Sequence, residues 1–73
     1  MSRTHYRVVP DGATWQLRRE QTPLSNHSLK TDAVDAGRRV AKANQPSQLI
    51  IHKADGTIET EYTYGDDPYP PRG

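Results

Sequence analysis

Two Asp-Gly turns govern what this sequence can fold into. Pro10-Asp11-Gly12 lies between residues 4–9 and 14–20, and Ala54-Asp55-Gly56 lies between residues 47–53 and 57–64. Glycine accepts positive φ and proline fixes its own φ, so each tripeptide reads as a chain reversal. The flanks alternate apolar and polar residues with a period of two, the pattern of strands half-buried in a sheet. Tyr6 and Val8 alternate with His5 and Arg7; Trp15 and Leu17 alternate with Thr14, Gln16 and Arg18. Residues 47–53 carry Leu49-Ile50-Ile51 at their centre. In residues 57–64, Ile58, Thr60, Tyr62 and Tyr64 face one way, and Thr57, Glu59, Glu61 and Thr63 the other. The sequence therefore predicts two β-hairpins.

Residues 21–30 are polar and contain Pro23, so they read as a loop that Leu24 and Leu29 anchor to the core. Beyond them, Ala33, Val34, Gly37, Val40 and Ala41 fall at helical spacing and form one narrow stripe. Thr31 reads as the helix N-cap, because its hydroxyl can accept a bond from a backbone N–H of the first turn. Asp32 then sits where the helix dipole favours a carboxylate. Asn44 and Pro46 end the helix. The stripe is made of small residues, so the helix can lie close to the sheet.

The expected fold class is α+β with the order ββαββ: a four-stranded antiparallel sheet with one helix packed on one face. A right-handed crossover carrying the helix over the first strand gives the strand order 2-1-3-4. Residues 1–65 form a single α+β domain, and residues 66–73 form a proline-rich C-terminal tail that either docks on it through Tyr69 or stays free to meet a partner. A chain of 73 residues buries only about 60% of the surface it exposes when unfolded, so the core is thin. Leu, Ile, Val and Phe together make up about 15% of the residues, below the ~20% that goes with disorder in highly charged chains. Here the net charge is only +1, and the patterning of the apolar residues decides for folding.

Several chemistries are excluded. There is no cysteine, so disulfides, Cys-based zinc sites and thiol nucleophiles are ruled out. Residues 1–5 carry no apolar run, so the start does not read as a secretory signal. No stretch approaches the ~20 apolar residues of a membrane span. A cytoplasmic location without a membrane partner is expected.

The opening strand with Val8-Val9-Pro10, Trp15 after a Gly turn, the helix from Thr31, Ile51-His52-Lys53-Ala54-Asp55-Gly56, and Tyr64-Gly65-Asp66-Asp67-Pro68-Tyr69-Pro70-Pro71 form a combined pattern. It resembles the bacterial family called domain of unknown function 2188, over nearly the whole chain. The tail is the most specific part. The resemblance implies one small domain and supplies neither an activity nor catalytic residues. Val34 and Gly37 stand in the helix where the family leads one to expect more Ala or Glu.

His5, His27 and His52 invite a metal reading. A pair at i, i+4 on a helix or i, i+2 on a strand would be a real signal, and none of the three has such a partner. His5 and His52 read as polar residues of an exposed sheet face, neighbours across strands. Asp66 and Asp67 lack the alternating oxygen ligands of a divalent-cation loop and read as turn caps before Pro68. No Gly-rich phosphate loop and no nucleophile–base set is evident. The expectation is a non-enzyme without cofactors.

Two surfaces are candidates for binding. Residues 1–45 hold eight Lys and Arg against four acids, whereas residues 46–73 hold two against five. Arg7, Arg18 and Arg19 on the first hairpin, with Arg38, Arg39 and Lys42 on the polar side of the helix, are the nucleic-acid candidates. The two clusters are expected on opposite faces, and Asp35 is placed to pair with Arg39 at i, i+4. Tyr64, Asp66, Asp67, Pro68, Tyr69, Pro70 and Pro71 are the protein-interaction candidates, since proline-rich extended segments dock into aromatic-lined grooves. The leading expectation is a non-catalytic module that binds an unidentified protein, as a regulatory or phage–host accessory factor. It would act as a monomer or weak dimer. Nucleic-acid binding is the alternative.

Overall fold

In the computed structural model, which describes residues 3–65, the element order is β1 (Thr4–Asp11), β2 (Thr14–Arg19), β3 (Thr22–His27), α1 (Lys30–Ala43), β4 (Ser47–His52) and β5 (Ile58–Tyr64). The strands form one sheet in the order β3-β2-β1-β4-β5. β1 and β4 pair in parallel, with Tyr6 opposite Leu49 and Val8 opposite Ile51, and the other pairings are antiparallel. The expected four-stranded antiparallel sheet is thus corrected to a mixed sheet of five strands. The physical reason is the crossover. One helix packed over the sheet returns the chain to the end from which β1 started, so β4 must run alongside β1 in parallel. The four strands read from sequence keep the order 2-1-3-4, with one more strand added outside β2.

That added strand is β3, in the segment read as a loop. It is an edge strand, paired only with β2, so one side of its backbone needs no ladder partner. Pro23 and a polar composition are tolerated there. The turn before it is held twice to β1. The Glu20 N–H donates to the His5 carbonyl at 2.8 Å, and the His5 N–H donates to the Glu20 carboxylate at 2.9 Å. Glu20 itself takes a φ of 54°.

Two bulges reset the facing of the edge strands. The β2–β3 register shifts at Leu17/Arg18, and Leu24 lines a groove beside the helix. The β4–β5 register shifts at Ile51/His52, so Ile58 lies opposite His52 on the far side from the helix. Glu59 instead reaches Lys30 of α1. The expectation that Ile58 shares the face of Thr60, Tyr62 and Tyr64 is corrected accordingly.

The core is one sheet face against α1. Tyr6, Val8, Leu17, Leu49 and Ile51 meet Ala33 and Ala41 of the helix, with Trp15, Val34, Val40, Tyr62 and Tyr64 packed around them. Gly37 lies at the closest approach, where a Cβ would come within 2.9 Å of Leu49 Cδ1. The N-cap lies two residues before the expected one. Leu29 is the N-cap, extended at φ −114° and ψ 139°, with no side-chain cap bond. Thr31 therefore lies inside the first turn. Asn44 caps the other end as expected, its N–H donating to Ala41 O at 3.2 Å and its side chain to Val40 O at 2.8 Å. Buried Ser47 adds its hydroxyl to Ala41 O at 2.5 Å.

Candidate functional site

The helix covers one face of the sheet, and the other is left to solvent. The registers assign that open face row by row. One row runs Pro23, Arg18, Arg7, Ile50, Glu61; the next runs Asn26, Gln16, Val9 and then His52 with Ile58; a third runs His5, Gln48, Thr63. Ile50 is only 4% exposed although no helix covers it. Long polar side chains of the neighbouring strands lie around it, and their aliphatic stems shield it.

The polar groups of this face bond largely to one another. Gln48 donates to the Glu61 carboxylate. Asn26 Nδ2 donates to Asp11 Oδ2 at 2.8 Å and to Thr14 Oγ1 at 3.0 Å. His52 Nδ1 lies 2.8 Å from the Gly56 carbonyl. A carbonyl only accepts, so Nδ1 carries the proton and Nε2 is free to accept. Arg7 Nη1 donates to that Nε2 at 3.2 Å. Arg18 Nη2 donates to the Gln21 carbonyl at 3.2 Å.

The basic candidates are not brought together. Arg7 and Arg18 are direct cross-strand partners on the open face. Arg19 is opposite Tyr6, a core residue, and so belongs to the helix side. Arg38 stacks over the Tyr62 ring at 4.9 Å, and that contact, chiefly its hydrogen bond, raises the guanidinium pKa above its ordinary value. Arg39 lines the groove on the β3 side of α1, while Asp35 lines the groove on the β5 side. The expected Asp35–Arg39 pair is accordingly not seen among the described residues. Lys42 is exposed in the last helical turn. Arg7 and Arg18 stand on the layer opposite the helix cluster, as expected, whereas Arg19 shares the side of the helix.

Other expectations change. His5 is opposite Gln48, and His52 lies at the far end of β4, so the two are not neighbours. Tyr64 is opposite Ser47 and packs against the core. Asp66, Asp67, Pro68, Tyr69, Pro70 and Pro71 lie outside the described residues. Among the described residues, no group of three or more His, Cys, Asp or Glu could hold a metal ion. No helix among them is long and apolar enough to cross a membrane.

Three contacts escape the sequence reading. Ser25 Oγ lies 2.9 Å from His27 Nε2. The pair sits at i, i+2 on β3, a spacing visible in sequence once residues 22–27 are read as a strand. Nucleophile and base are within reach, but no acid orients the imidazole among the described residues, so the arrangement lacks the third part of a catalytic set. Lys30 Nζ lies 4.9 Å from the Trp15 ring centroid and also pairs with Glu59. These contacts close one end of a groove of about 340 Å³ between α1 and β5, walled by Val34, Arg38, Thr60 and Tyr62.

The fold and this surface define a class: a small α+β domain with one helix-covered face and one polar face turned to solvent. The chain belongs to the family described as uncharacterized protein conserved in bacteria, domain of unknown function 2188, whose pattern matches residues 6–64. The match spans β1 to the end of β5. No curated protein and no solved structure shows significant similarity to the chain.

Proposed function

We propose that this protein is a non-catalytic module that binds another protein through its open sheet face. It would act in the bacterial cytoplasm as a regulatory or phage–host accessory factor. The observation that carries the reading is the one-sided cover of the sheet: α1 packs on one face, and the other presents mostly polar side chains from β3 to β5, with Pro23, Val9, Ile50 and Ile58 among them. Among the described residues, no acid bonds to the imidazole of the Ser25–His27 pair.

The test is photo-crosslinking in the native host, with the reactive side chain placed at Gln16 or Thr63 on the open face, or at Lys42 on the helix. Nuclease-resistant crosslinks to a protein from Gln16 and Thr63, and not from Lys42, are expected. Crosslinks confined to Lys42 would refute the choice of face.

Nucleic-acid binding is the second reading, favoured by Arg7 and Arg18 sharing that face. It predicts affinity that falls steeply with salt as counterions are released. It is weakened by the split of the basic residues between two layers. Moreover, Tyr6, Trp15, Tyr62 and Tyr64 are all on the helix side, away from Arg7 and Arg18.

A further inference from the structure

Arg7 and Arg18 face each other across β1 and β2. Like charges placed directly opposite repel. A paired carboxylate would normally offset this, and among the described residues neither arginine is paired with one. Arg7 donates to the neutral Nε2 of His52, and Arg18 donates to the backbone carbonyl of Gln21. Arg18 Nε is buried without a hydrogen-bond partner. The carboxylates around the face are engaged by other groups: Glu61 by Gln48, Glu20 by the His5 N–H, and Asp11 by Asn26. Two arginines rooted side by side across the strands are thus held, among the described residues, by neutral acceptors only, Arg7 toward His52 and Arg18 toward Gln21.

We propose that Arg7 and Arg18 form a two-armed receptor for a carboxylate of an acidic segment in the partner protein. This rests on the open face being the binding face. When Arg18 leaves Gln21, its Nε and one Nη become a fork that can hold a carboxylate through two parallel bonds. Arg7 gives up a neutral imidazole for the same anion. Each exchange replaces a neutral acceptor by an ionised one, and charge-assisted bonds are the stronger. The anion also separates two like charges that otherwise repel.

The surroundings select a carboxylate over a nucleic-acid backbone. A nucleic acid brings a phosphate at every nucleotide and gains its affinity from a run of cations, whereas one carboxylate needs only the two arginines. Arg38, Arg39 and Lys42 are on the helix layer, and Arg19 is on the helix side of β2.

The experiment is a nuclear magnetic resonance titration of the full chain, following the arginine Nε–H signals. Hexaglutamate is the probe, and a short single-stranded oligonucleotide is titrated in parallel. Saturable shifts of the Arg7 and Arg18 signals with hexaglutamate are expected. Arg7→Gln and Arg18→Gln should each weaken binding about tenfold, and Arg38→Gln should leave it unchanged. Trp15 fluorescence checks that each variant is folded. Unmoved Arg7 and Arg18 signals would overturn the proposal, as would tighter binding of the oligonucleotide to the same pair. Failure here is separable from failure of the open-face reading. If crosslinks from Gln16 and Thr63 persist in the Arg7→Gln and Arg18→Gln variants, the receptor is wrong and the face stands; if they are absent from the native chain, the face itself is wrong.

Discussion

Replacing Gly37 with alanine adds one methyl group where α1 meets the sheet. That carbon would lie 2.9 Å from Leu49 Cδ1 and 3.3 Å from Leu17 Cδ1. Carbon atoms in good contact are about 3.5–4.0 Å apart, so both leucines must yield. Leu49 is fully buried and Leu17 is 3% exposed, which leaves them little room. Overpacking of this kind costs roughly 1–3 kcal/mol. Alanine returns about 0.8–1.0 kcal/mol of helix propensity over glycine. The expected net effect is a loss of about 1 kcal/mol, which lowers Tm by about 4–8 °C in a domain of this size. Gly37→Val adds bulk without the full propensity gain, and its expected loss is about 2–3 kcal/mol. Urea unfolding followed by the fluorescence of Trp15, the one tryptophan, measures both. Leu49→Val should relieve the crowding, so that the double variant with Gly37→Ala is more stable than the sum of the singles by about 0.5 kcal/mol or more. A rise in stability by the full alanine propensity would refute the close approach of helix and sheet.

Other substitutions probe the helix ends and the second turn. Leu29→Ser places a hydroxyl at an N-cap that has none, on a side chain already 60% exposed, and should raise the urea midpoint by about 0.5–2 kcal/mol of stability. Ser47→Ala removes a buried hydroxyl from the Ala41 carbonyl. The cost should be about 1 kcal/mol, with faster hydrogen exchange in the last turn of α1. Asp55 accepts from the Thr57 hydroxyl at 2.7 Å and from its N–H at 3.0 Å, and these bonds hold its pKa below the ordinary 3.8. A depressed carboxylate contributes stability above its unfolded value and loses it as pH falls through the folded one. The stability difference between the native chain and Asp55→Ala should therefore be largest above pH 3.8 and shrink on further acidification, as urea midpoints measured across that range would show.

What the sequence disclosed, and what it hid, follows from the range of the forces involved. Tyr6, Val8, Trp15 and Leu17 are local alternations beside a glycine turn, and they lie where their pattern put them. The helix stripe Ala33, Gly37, Ala41 is also local, and its small residues are explained by Leu49 and Leu17 beneath Gly37. β3 was hidden because an edge strand needs only one neighbour, and its apolar alternation is broken by the bulge at Leu24. The parallel pairing of β1 with β4 is a property of chain connection that no periodicity records. Thr31 has the chemistry of a cap, but the first turn is set by where Leu29 leaves the sheet. At the candidate site, the outward facing of Arg7 and Arg18 was legible from alternation. Their cross-strand pairing, and the hold of His52 on Arg7, depend on register and were not.

The position of β1 between β2 and β4 also sets the course of folding. Its two neighbours come from opposite ends of the chain, and Leu49 and Ile51, two of the five large core side chains beneath the helix, arrive only with β4. The first three strands supply Tyr6, Val8 and Leu17 and can collapse early, but they leave one edge of β1 bare. Closing the β1–β4 ladder requires the helix to have formed and crossed first, so that closure should limit the rate. Non-local pairing of this kind places mixed α/β domains between fast helical bundles and slow β-sandwiches. During synthesis, a nascent chain lacking β4 would present the edge of β1 as a template for other strands. The interval before Ser47–His52 emerges from the ribosome is therefore when this protein is most exposed to aggregation.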